Sequence, residues 1–428
     1  MIRWFLGLIC LFFCAANGAA EVVFDEWFEE RTLRVDYMFS GDSVAQSLSF
    51  DEAMSMPVWA GRRRHLDSLY VEGNGQISMI DAATGRRIYA HSFSTLFQEW
   101  QHTDEARMRR RSFENSFLLP MPKRPVKVVV ELRNSHRAVT SRTVTPLDPS
   151  DILIRRLDGV VAAPHRYLEK HGDVSKCIDI AIVAEGYTAK QRKLFYRDAQ
   201  RFADALFEHE PFTSLRHRFN IVAVAPASRD EGTSVPRQGL WKETAISSNF
   251  DTFYSDRYLT TLHLKRLQDV LTGIAHEHVV VLVNSDVYGG GGIYNLYMLS
   301  SAHHKYSLPV MIHEFGHSFA GLGDEYAYGE AEPYYHQGVE PWEPNLTTLA
   351  DFRSKWADMV PAGVAVPTAV SENGGKDTES VGVYEGAGYL TKGVYRPAPE
   401  CRMKVNDVQQ FCPVCRRAIA RAVAFYTE

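Results

Sequence analysis

The stretch from Ser307 to Tyr326 constrains the fold most, because its pattern predicts a helix that has to end abruptly. Ser307 is a candidate N-cap, and Pro309 would stand in the first turn, where its missing N–H costs nothing. Apolar residues recur on several sides of this stretch; they are Val310, Met311, Ile312, Phe315, Phe319 and Leu322. Such a distribution predicts a helix that is buried on more than one face.

Two histidines and a glutamate on this helix have the spacing of a zinc site. His313 and His317 are four residues apart, so both side chains project from one face and can bind one ion. Glu314 follows the first histidine and is placed to act as a general base toward water. The alternative is a buried helix with two hydrogen-bonded histidines, which the apolar helix, its glycine stop and the acidic residues beyond it disfavour.

A third protein ligand is expected, since a catalytic zinc ion usually has three. Asp324 comes eleven positions after His313, and an unbroken helix would carry it roughly 16 Å further along the axis. Gly321 and Gly323 can take the left-handed conformation that terminates helices, which would let Asp324 fold back to the metal. Glu325 is the competing third ligand.

The run His-Glu-Phe-Gly-His-Ser-Phe-Ala-Gly-Leu-Gly-Asp-Glu-Tyr resembles the active-site signature of the M64 family, the IgA-peptidase-type zinc metallopeptidases. Further matching segments span roughly residues 177–420; they are Ala184–Thr188, Asp256–Leu259, Tyr288–Asn295, Trp342–Thr347 and Phe411–Cys415. The resemblance implies hydrolysis of peptide bonds in protein substrates. It also implies one catalytic Zn²⁺, held by His313, His317 and Asp324, with Glu314 as the base.

The pattern is close to the metzincin sequence His-Glu-x-x-His-x-x-Gly-x-x-His but departs from it. Ala320 stands where metzincins have glycine, and Gly323 stands in the place of their third histidine, with Asp324 directly after it. Met403 occupies the position of a metzincin-like Met-turn. The resemblance therefore implies that this methionine packs beneath the metal site.

Residues 21–146 show short alternating apolar runs separated by turns, which predicts an all-β sandwich domain. A helical or irregular excursion is expected near residues 99–111. The predicted strands are Thr32–Phe39, Leu69–Val71, Ile77–Ile80 and Val126–Leu132. This part resembles the β-rich domain that precedes M64 catalytic domains.

Residues 147–428 are predicted to form the catalytic domain. Buried strands are expected at Cys177–Ala184, Phe219–Ala225 and His278–Asn284, and Thr188–His209 has helical spacing. Strands alternating with helices favour a mostly parallel sheet. The predicted fold is an α/β zincin-like, metzincin-related catalytic domain with a preceding all-β sandwich.

A run of four glycines, Gly289–Gly292, comes shortly before the predicted helix that carries His313 and His317. It lacks the Lys-Ser/Thr pair that completes a phosphate-binding loop. We expect Gly290, Gly291 and Gly292 to expose backbone at a sheet edge, where a substrate chain could pair. A flexible hairpin tip is the alternative. A donor to the oxyanion could come from Tyr297 or Tyr326, and the sequence favours neither.

The first 20 residues predict a secretory signal peptide, in which an apolar run from Trp4 to Ala16 is followed by small residues up to Ala20. The run is too short to span a bilayer comfortably, and no later segment is long and apolar enough to be transmembrane. We expect an exported protein cleaved near Ala20. Lipid anchoring at Cys14 is the alternative, which the bulky Phe13 before it disfavours.

Four cysteines would remain after this cleavage, namely Cys177, Cys401, Cys412 and Cys415. Disulfides are the default in an exported protein, and Cys401 paired with Cys412 or Cys415 would cross-link the chain near Met403. A second zinc ion held by these cysteines is the alternative, although a single Cys-x-x-Cys motif is weak evidence for it.

The chain has 428 residues, of which 45% are hydrophobic and 23% charged, so it can form two domains with cores of their own. The net charge of −5 and the lack of a basic aromatic stripe disfavour a nucleic-acid partner. The sequence as a whole favours an exported zinc endopeptidase. The alternatives are a glycan- or protein-binding protein with an inactive zinc fold, and a zinc amidase that acts on cell-wall peptides.

Overall fold

The computed structural model describes residues 21–329, 334–370 and 377–428. The predicted signal peptide, with Cys14, lies outside these residues. None of the helices in the described part of the chain is long and apolar enough to cross a bilayer.

The first part of the chain is rich in β-strands, as predicted. Its elements are α1 (Phe24–Trp27), β1 (Phe28–Gly41), β2 (Gln46–Met56), β3 (Gly75–Asp81), β4 (Arg87–Phe93), α2 (Leu96–Gln101), α3 (Asp104–Met108), β5 (Arg111–Pro122), β6 (Val126–Arg133), β7 (Val139–Leu147) and β8 (Arg155–Arg156). Helices α2 and α3 form the expected excursion. The predicted strand at Leu69–Val71 was wrong, and β2, β4, β5 and β7 were not predicted.

These strands form two four-stranded sheets in the described residues, in the orders β5-β1-β2-β8 and β4-β3-β6-β7. The pairs are antiparallel except for β2 with β8. Alternate residues of β1 and β6, such as Leu33 and Val35 or Val128 and Val130, are buried in one apolar cluster. This period of two is what a strand with one face on the core requires.

The second part of the chain alternates strands and helices. Its elements are β9 (His165–Glu169), β10 (Ile178–Glu185), α4 (Arg192–Leu206), β11 (Phe219–Val224), α5 (Leu264–Val270), β12 (His278–Val283), β13 (Gly290–Ile293), β14 (Tyr297–Ser301), α6 (Ser307–Ala320), β15 (Ala327–Gly329), β16 (Tyr384–Ala387), β17 (Tyr389–Arg396) and α7 (Pro413–Thr427). Strands β9 to β14 form one sheet in the order β13-β14-β12-β10-β11-β9. Strands β15, β16 and β17 form a separate small sheet in the order β15-β17-β16. Within the larger sheet β11, β10, β12 and β14 are parallel, and the edge strands β9 and β13 are antiparallel to their neighbours.

Both faces of this larger sheet are covered, which explains why its central strands are continuous apolar runs. Along β10, Ile180 and Ile182 face the cluster that contains helices α4, α6 and α7. Ala181 and Val183 face the cluster that also contains the inner residues of the N-terminal strands. The sheet therefore lies between a helical layer and the N-terminal β-layer, with α6 against its β13–β14 edge.

Candidate metal centre

Helix α6 carries the two histidines and ends where the sequence required. It begins at Ser307, so Ser307 is its first residue, and the N-cap is Tyr306 rather than the predicted Ser307. Gly321 takes the left-handed conformation with φ of 63°, and its N–H donates to the carbonyl of His317 at 3.0 Å. The glycine thus terminates the helix, because a residue with a Cβ rarely adopts this φ.

Gly323 contributes to the turn in a different way from the one predicted. It is not among the residues with positive φ, and a Cβ at this position would collide with the side chain of Leu346. Its N–H donates to Oδ1 of Asn345 at 2.7 Å, and its carbonyl accepts from Nδ2 of the same residue at 2.9 Å. The buried Asn345 therefore fixes the backbone just before Asp324.

This turn brings Asp324 back to the two histidines. Its Oδ1 lies 3.0 Å from Nε2 of His313 and 3.2 Å from Nε2 of His317, and the two Nε2 atoms are 3.0 Å apart. The three side chains form a group whose donor atoms could hold a metal ion. Two imidazole nitrogens and a carboxylate oxygen are a donor set that fits zinc.

Backbone carbonyls orient both rings. Nδ1 of His313 lies 3.0 Å from the carbonyl of Arg402, and Nδ1 of His317 lies 2.5 Å from the carbonyl of Leu322. A carbonyl can only accept, so each Nδ1 carries a proton, and Nε2 is the ring nitrogen that can bind a metal ion once any proton it shares with Asp324 is released. Both Nε2 atoms face the carboxylate of Asp324.

The electrostatics of the group favour a cation at its centre. Burial acts to lower the pKa of His317, but the Asp324 carboxylate outweighs it and raises this pKa to about 9. Burial acts to raise the pKa of Asp324, yet His317 and His313 hold it far below its usual value. A site that retains a proton this strongly also attracts a metal ion. Burial raises the pKa of the neighbouring Glu314.

Glu325, the competing ligand, faces the opposite way. Its side chain is fully buried, and its Oε1 accepts from Nδ2 of Asn345 at 2.9 Å and from Sγ of Cys415 at 3.0 Å. The structure therefore brings Asp324, and not Glu325, to the histidines.

Two tyrosines complete the surroundings of the centre. Tyr326 lies parallel to the ring of His313, with 6.2 Å between centroids and an interplanar angle of 12°. The hydroxyl of Tyr389 donates to Oδ2 of Asp324 and accepts from Tyr326. Sequence reasoning missed Tyr389, which lies 65 residues after Asp324 and belongs to no recognisable motif.

Tyr297, the other predicted oxyanion donor, lies in the core. Its hydroxyl donates to the carbonyl of Thr261 at 2.8 Å and accepts from the N–H of the same residue at 3.2 Å. The ring is buried in the cluster between the larger sheet and the N-terminal strands. Tyr297 is therefore not free to contact a substrate, which corrects the expectation for this residue.

The glycine run forms edge strand β13, but packing accounts for it better than substrate access does. A Cβ at Gly292 would collide with the carbonyl of Glu314, and one at Gly290 would lie 3.0 Å from a methyl group of Val310. A Cβ at Gly291 would lie 2.8 Å from the ring of Tyr258, which also bridges to Gly290. The glycines thus let helix α6 approach the strand closely, and the free edge that was expected here is partly covered.

Met403 packs against the helix that carries the two histidines. It is fully buried, and its Sδ is 2.7 Å from the position that a Cβ on Gly316 would occupy, between the two histidines on α6. Its carbonyl accepts from the N–H of Glu325 at 2.9 Å. The methionine therefore supports the helix turn that carries the histidines.

Comparison with known proteins covers both parts of the chain. A family model described as IgA Peptidase M64 matches residues 167–379 and 373–423, more than half of the chain. A second model, described as Peptidase M64 N-terminus, matches residues 23–143. A search of curated proteins found no match.

Proposed function

The chain belongs to the IgA peptidase M64 family of metallopeptidases, and from this premise we propose that it is an exported zinc-dependent endopeptidase. One observation carries the proposal. Nε2 of His313, Nε2 of His317 and Oδ1 of Asp324 lie within 3.2 Å of one another. Glu314 lies on α6, the helix that carries both histidines. Zinc bound there would polarise the scissile carbonyl and make water more acidic.

The chain's own residues have separate roles in this proposal. Glu314 accepts a proton from the attacking water and delivers it to the leaving amine. Its burial, which raises its pKa, suits a group that must hold that proton between the two steps. Tyr326, beside His313, donates to the developing oxyanion after its hydroxyl turns away from Tyr389, and Tyr389 holds the carboxylate of Asp324 in position.

We extend the proposal to the fold of the catalytic part, which we place with the zincin-like, metzincin-related peptidases. Its sheet is parallel at the centre, and its antiparallel edge strand β13 lies against the metal helix. Met403 beneath Gly316 corresponds to a Met-turn.

The proposal is tested by incubating the full chain, loaded with zinc, with a mixture of proteins and sequencing the new termini. We expect new peptide termini that disappear with a chelator and return with zinc. Glu314→Gln is the matched variant: it should keep the metal and the fold but lose activity by a factor of about 10² to 10⁴. A variant that kept a tenth of the activity would show that Glu314 is not the base.

The same experiment separates the alternatives. Release of cell-wall peptides without cleavage of any protein would favour a zinc amidase. No cleavage of either substrate class by a zinc-loaded chain would favour a binding protein.

Export is a further part of the proposal, motivated by the apolar run and small residues of the first 20 positions. N-terminal sequencing of the mature protein, produced in a host with an export pathway, should begin close to Glu21. A mature chain that began with a lipid-modified Cys14 would contradict cleavage near Ala20.

A further inference from the structure

A second group of possible metal ligands lies behind the histidine site. Glu325, Cys401, Cys412 and Cys415 are buried, and one potential ligand atom from each lies within 4.8 Å of the others. Sγ of Cys401 is 3.8 Å from Sγ of Cys415, which in turn is 3.0 Å from Oε1 of Glu325. The other carboxylate oxygen, Oε2, is buried and has no hydrogen-bond partner among the described residues.

These distances fit a shared ion better than a disulfide. Two thiolates on a tetrahedral zinc ion, each at 2.3 Å, would lie roughly 3.8 Å apart, whereas a disulfide needs about 2.05 Å. A disulfide would also use only two of the three thiols and leave the third, with the carboxylate, buried beside it. Three sulfur ligands and one oxygen favour zinc over magnesium or calcium, which prefer oxygen alone.

We propose that Glu325, Cys401, Cys412 and Cys415 bind a second, structural zinc ion. Binding displaces the thiol protons to solvent, and four protein ligands leave no open position for a substrate. Three thiolates and a carboxylate outweigh the ion's charge by two, so the site needs donors around it.

Those donors are present. The N–H of Cys412 donates to Sγ of Cys401 at 3.3 Å, and Nδ2 of Asn345 donates to Oε1 of Glu325 at 2.9 Å. Cys412 is the N-cap of helix α7, and Cys415 lies in its first turn. The positive end of a 15-residue helix therefore faces the thiolates.

The second ion would stabilise two segments of the chain that adjoin the histidine site. Glu325 directly follows Asp324, the carboxylate at the histidines. Cys401 precedes Arg402, whose carbonyl accepts from Nδ1 of His313. The second site thus fixes both the turn that supplies Asp324 and the loop that orients His313, without touching substrate.

The test uses the full chain with His313→Ala and His317→Ala, which removes the first site and keeps the second intact. We expect about one zinc ion per chain by elemental analysis. Its cobalt-substituted form should show thiolate-to-cobalt charge-transfer absorption, which a histidine–carboxylate site cannot produce. A thiol-blocking reagent should release the ion stoichiometrically.

Two cysteine variants of the same chain provide the comparison. Cys412→Ser should lose the remaining zinc, whereas Cys177→Ser, which alters a buried cysteine outside the group, should keep it. If Cys412→Ser fails to fold, cobalt absorption and zinc release by thiol blocking still decide the question. A histidine variant that contains no zinc, or whose denatured chain shows a disulfide among Cys401, Cys412 and Cys415, would overturn the proposal.

Discussion

At the scale of single residues, Asp324 has a different partner for each carboxylate oxygen. Oδ1 faces the two histidines, and Oδ2 accepts from the hydroxyl of Tyr389. The Tyr389 backbone has a positive φ of 67°, which is unfavourable for a bulky residue and is held by its N–H donating to the carbonyl of Tyr326 at 3.0 Å. The loop is therefore constrained to present this hydroxyl.

Tyr389→Phe should weaken zinc binding about 10- to 100-fold, because the hydrogen bond that orients the ligand is lost. Competition with a chromogenic chelator would measure the change. Tyr328→Phe is the control, since Tyr328 is a neighbouring tyrosine that is 79% exposed. Equal weakening by both variants would show that the aromatic packing, and not the hydrogen bond, supports the site.

Asp324→Ala should reduce zinc at the histidines as strongly as His313→Ala does and should abolish peptide cleavage, because a ligand is lost. Glu325→Ala should leave the histidine site's ion in place; at the second site it should weaken cobalt binding and shift the thiolate-to-cobalt absorption, because three thiolates remain but the fourth ligand is lost. Equilibrium dialysis, with the cobalt spectrum as readout, distinguishes the two. Loss of the thiolate signal in Asp324→Ala would mean that the two carboxylates have exchanged roles.

At the scale of elements, the contact between β13 and α6 determines how closely the helix that carries the two histidines packs on the sheet. Gly292→Ala should destabilise the fold by about 1–3 kcal/mol, because the added Cβ collides with the carbonyl of Glu314. Urea unfolding would measure the loss. Gly159→Ala is the matched control, since no atom of the described residues lies within 4 Å of the added Cβ and its φ is not positive. Equal stability of the two variants would contradict a packing role for Gly292.

Strand β10 contains a buried carboxyl, that of Asp179, which makes the stability of the fold depend on pH. Burial raises the pKa of Asp179 to about 7, although Asn220 donates to its Oδ1 at 3.0 Å. In the unfolded chain this pKa is about 3.9. The native state thus binds more protons at this group than the unfolded state does between these values, so the contribution of Asp179 to stability is full below about pH 4 and is lost as pH rises to 7.

Asp179→Asn should remove that decline, which amounts to at most about 4 kcal/mol. Thermal melting at pH 5 and pH 8 would show a smaller difference for the variant than for the wild type. Asp204→Asn, at an exposed helix position, should keep the wild-type difference. An unchanged pH dependence in Asp179→Asn would show that the buried carboxyl does not cause it.

At the scale of the whole molecule, the N-terminal strands and the larger sheet share one apolar cluster. Polar contacts cross between them as well: Nδ2 of Asn295 donates to the carbonyl of Ser92 at 2.9 Å, and the hydroxyl of Tyr70 donates to the carbonyl of Ala418 at 2.6 Å. Glu99 on α2 accepts from Tyr258; burial raises the pKa of Glu99 to about 7, and the charge of His317 acts to lower it. The N-terminal part therefore contributes to the walls of the metal centre.

The full chain should unfold in a single calorimetric transition, because neither part can expose its share of this cluster to water without losing stability. Residues 147–428 expressed alone should be insoluble or show no cooperative transition. A soluble, zinc-binding and active fragment 147–428 would contradict this coupling and would assign the N-terminal part a separate role.

Several features could be predicted from the sequence, because they depend on the helix, strand and turn preferences of neighbouring residues. The shared face of His313 and His317 follows from the helical period, and Gly321 terminates the helix because its left-handed φ favours glycine. The strand near Cys177–Ala184 and the β-rich character of the first part follow from runs of branched and alternating residues. Each of these needs only neighbours along the chain.

Other features could not be predicted from the sequence, because they depend on contacts between residues that are distant along the chain. Asn345 and the thiol of Cys415 decide that Glu325 faces away from the histidines. The approach of α6 decides that the glycine run serves packing, and the hydrogen bond to Thr261 holds Tyr297 in the core. Sequence periodicity describes one element at a time, whereas these outcomes depend on which surfaces meet when the elements pack.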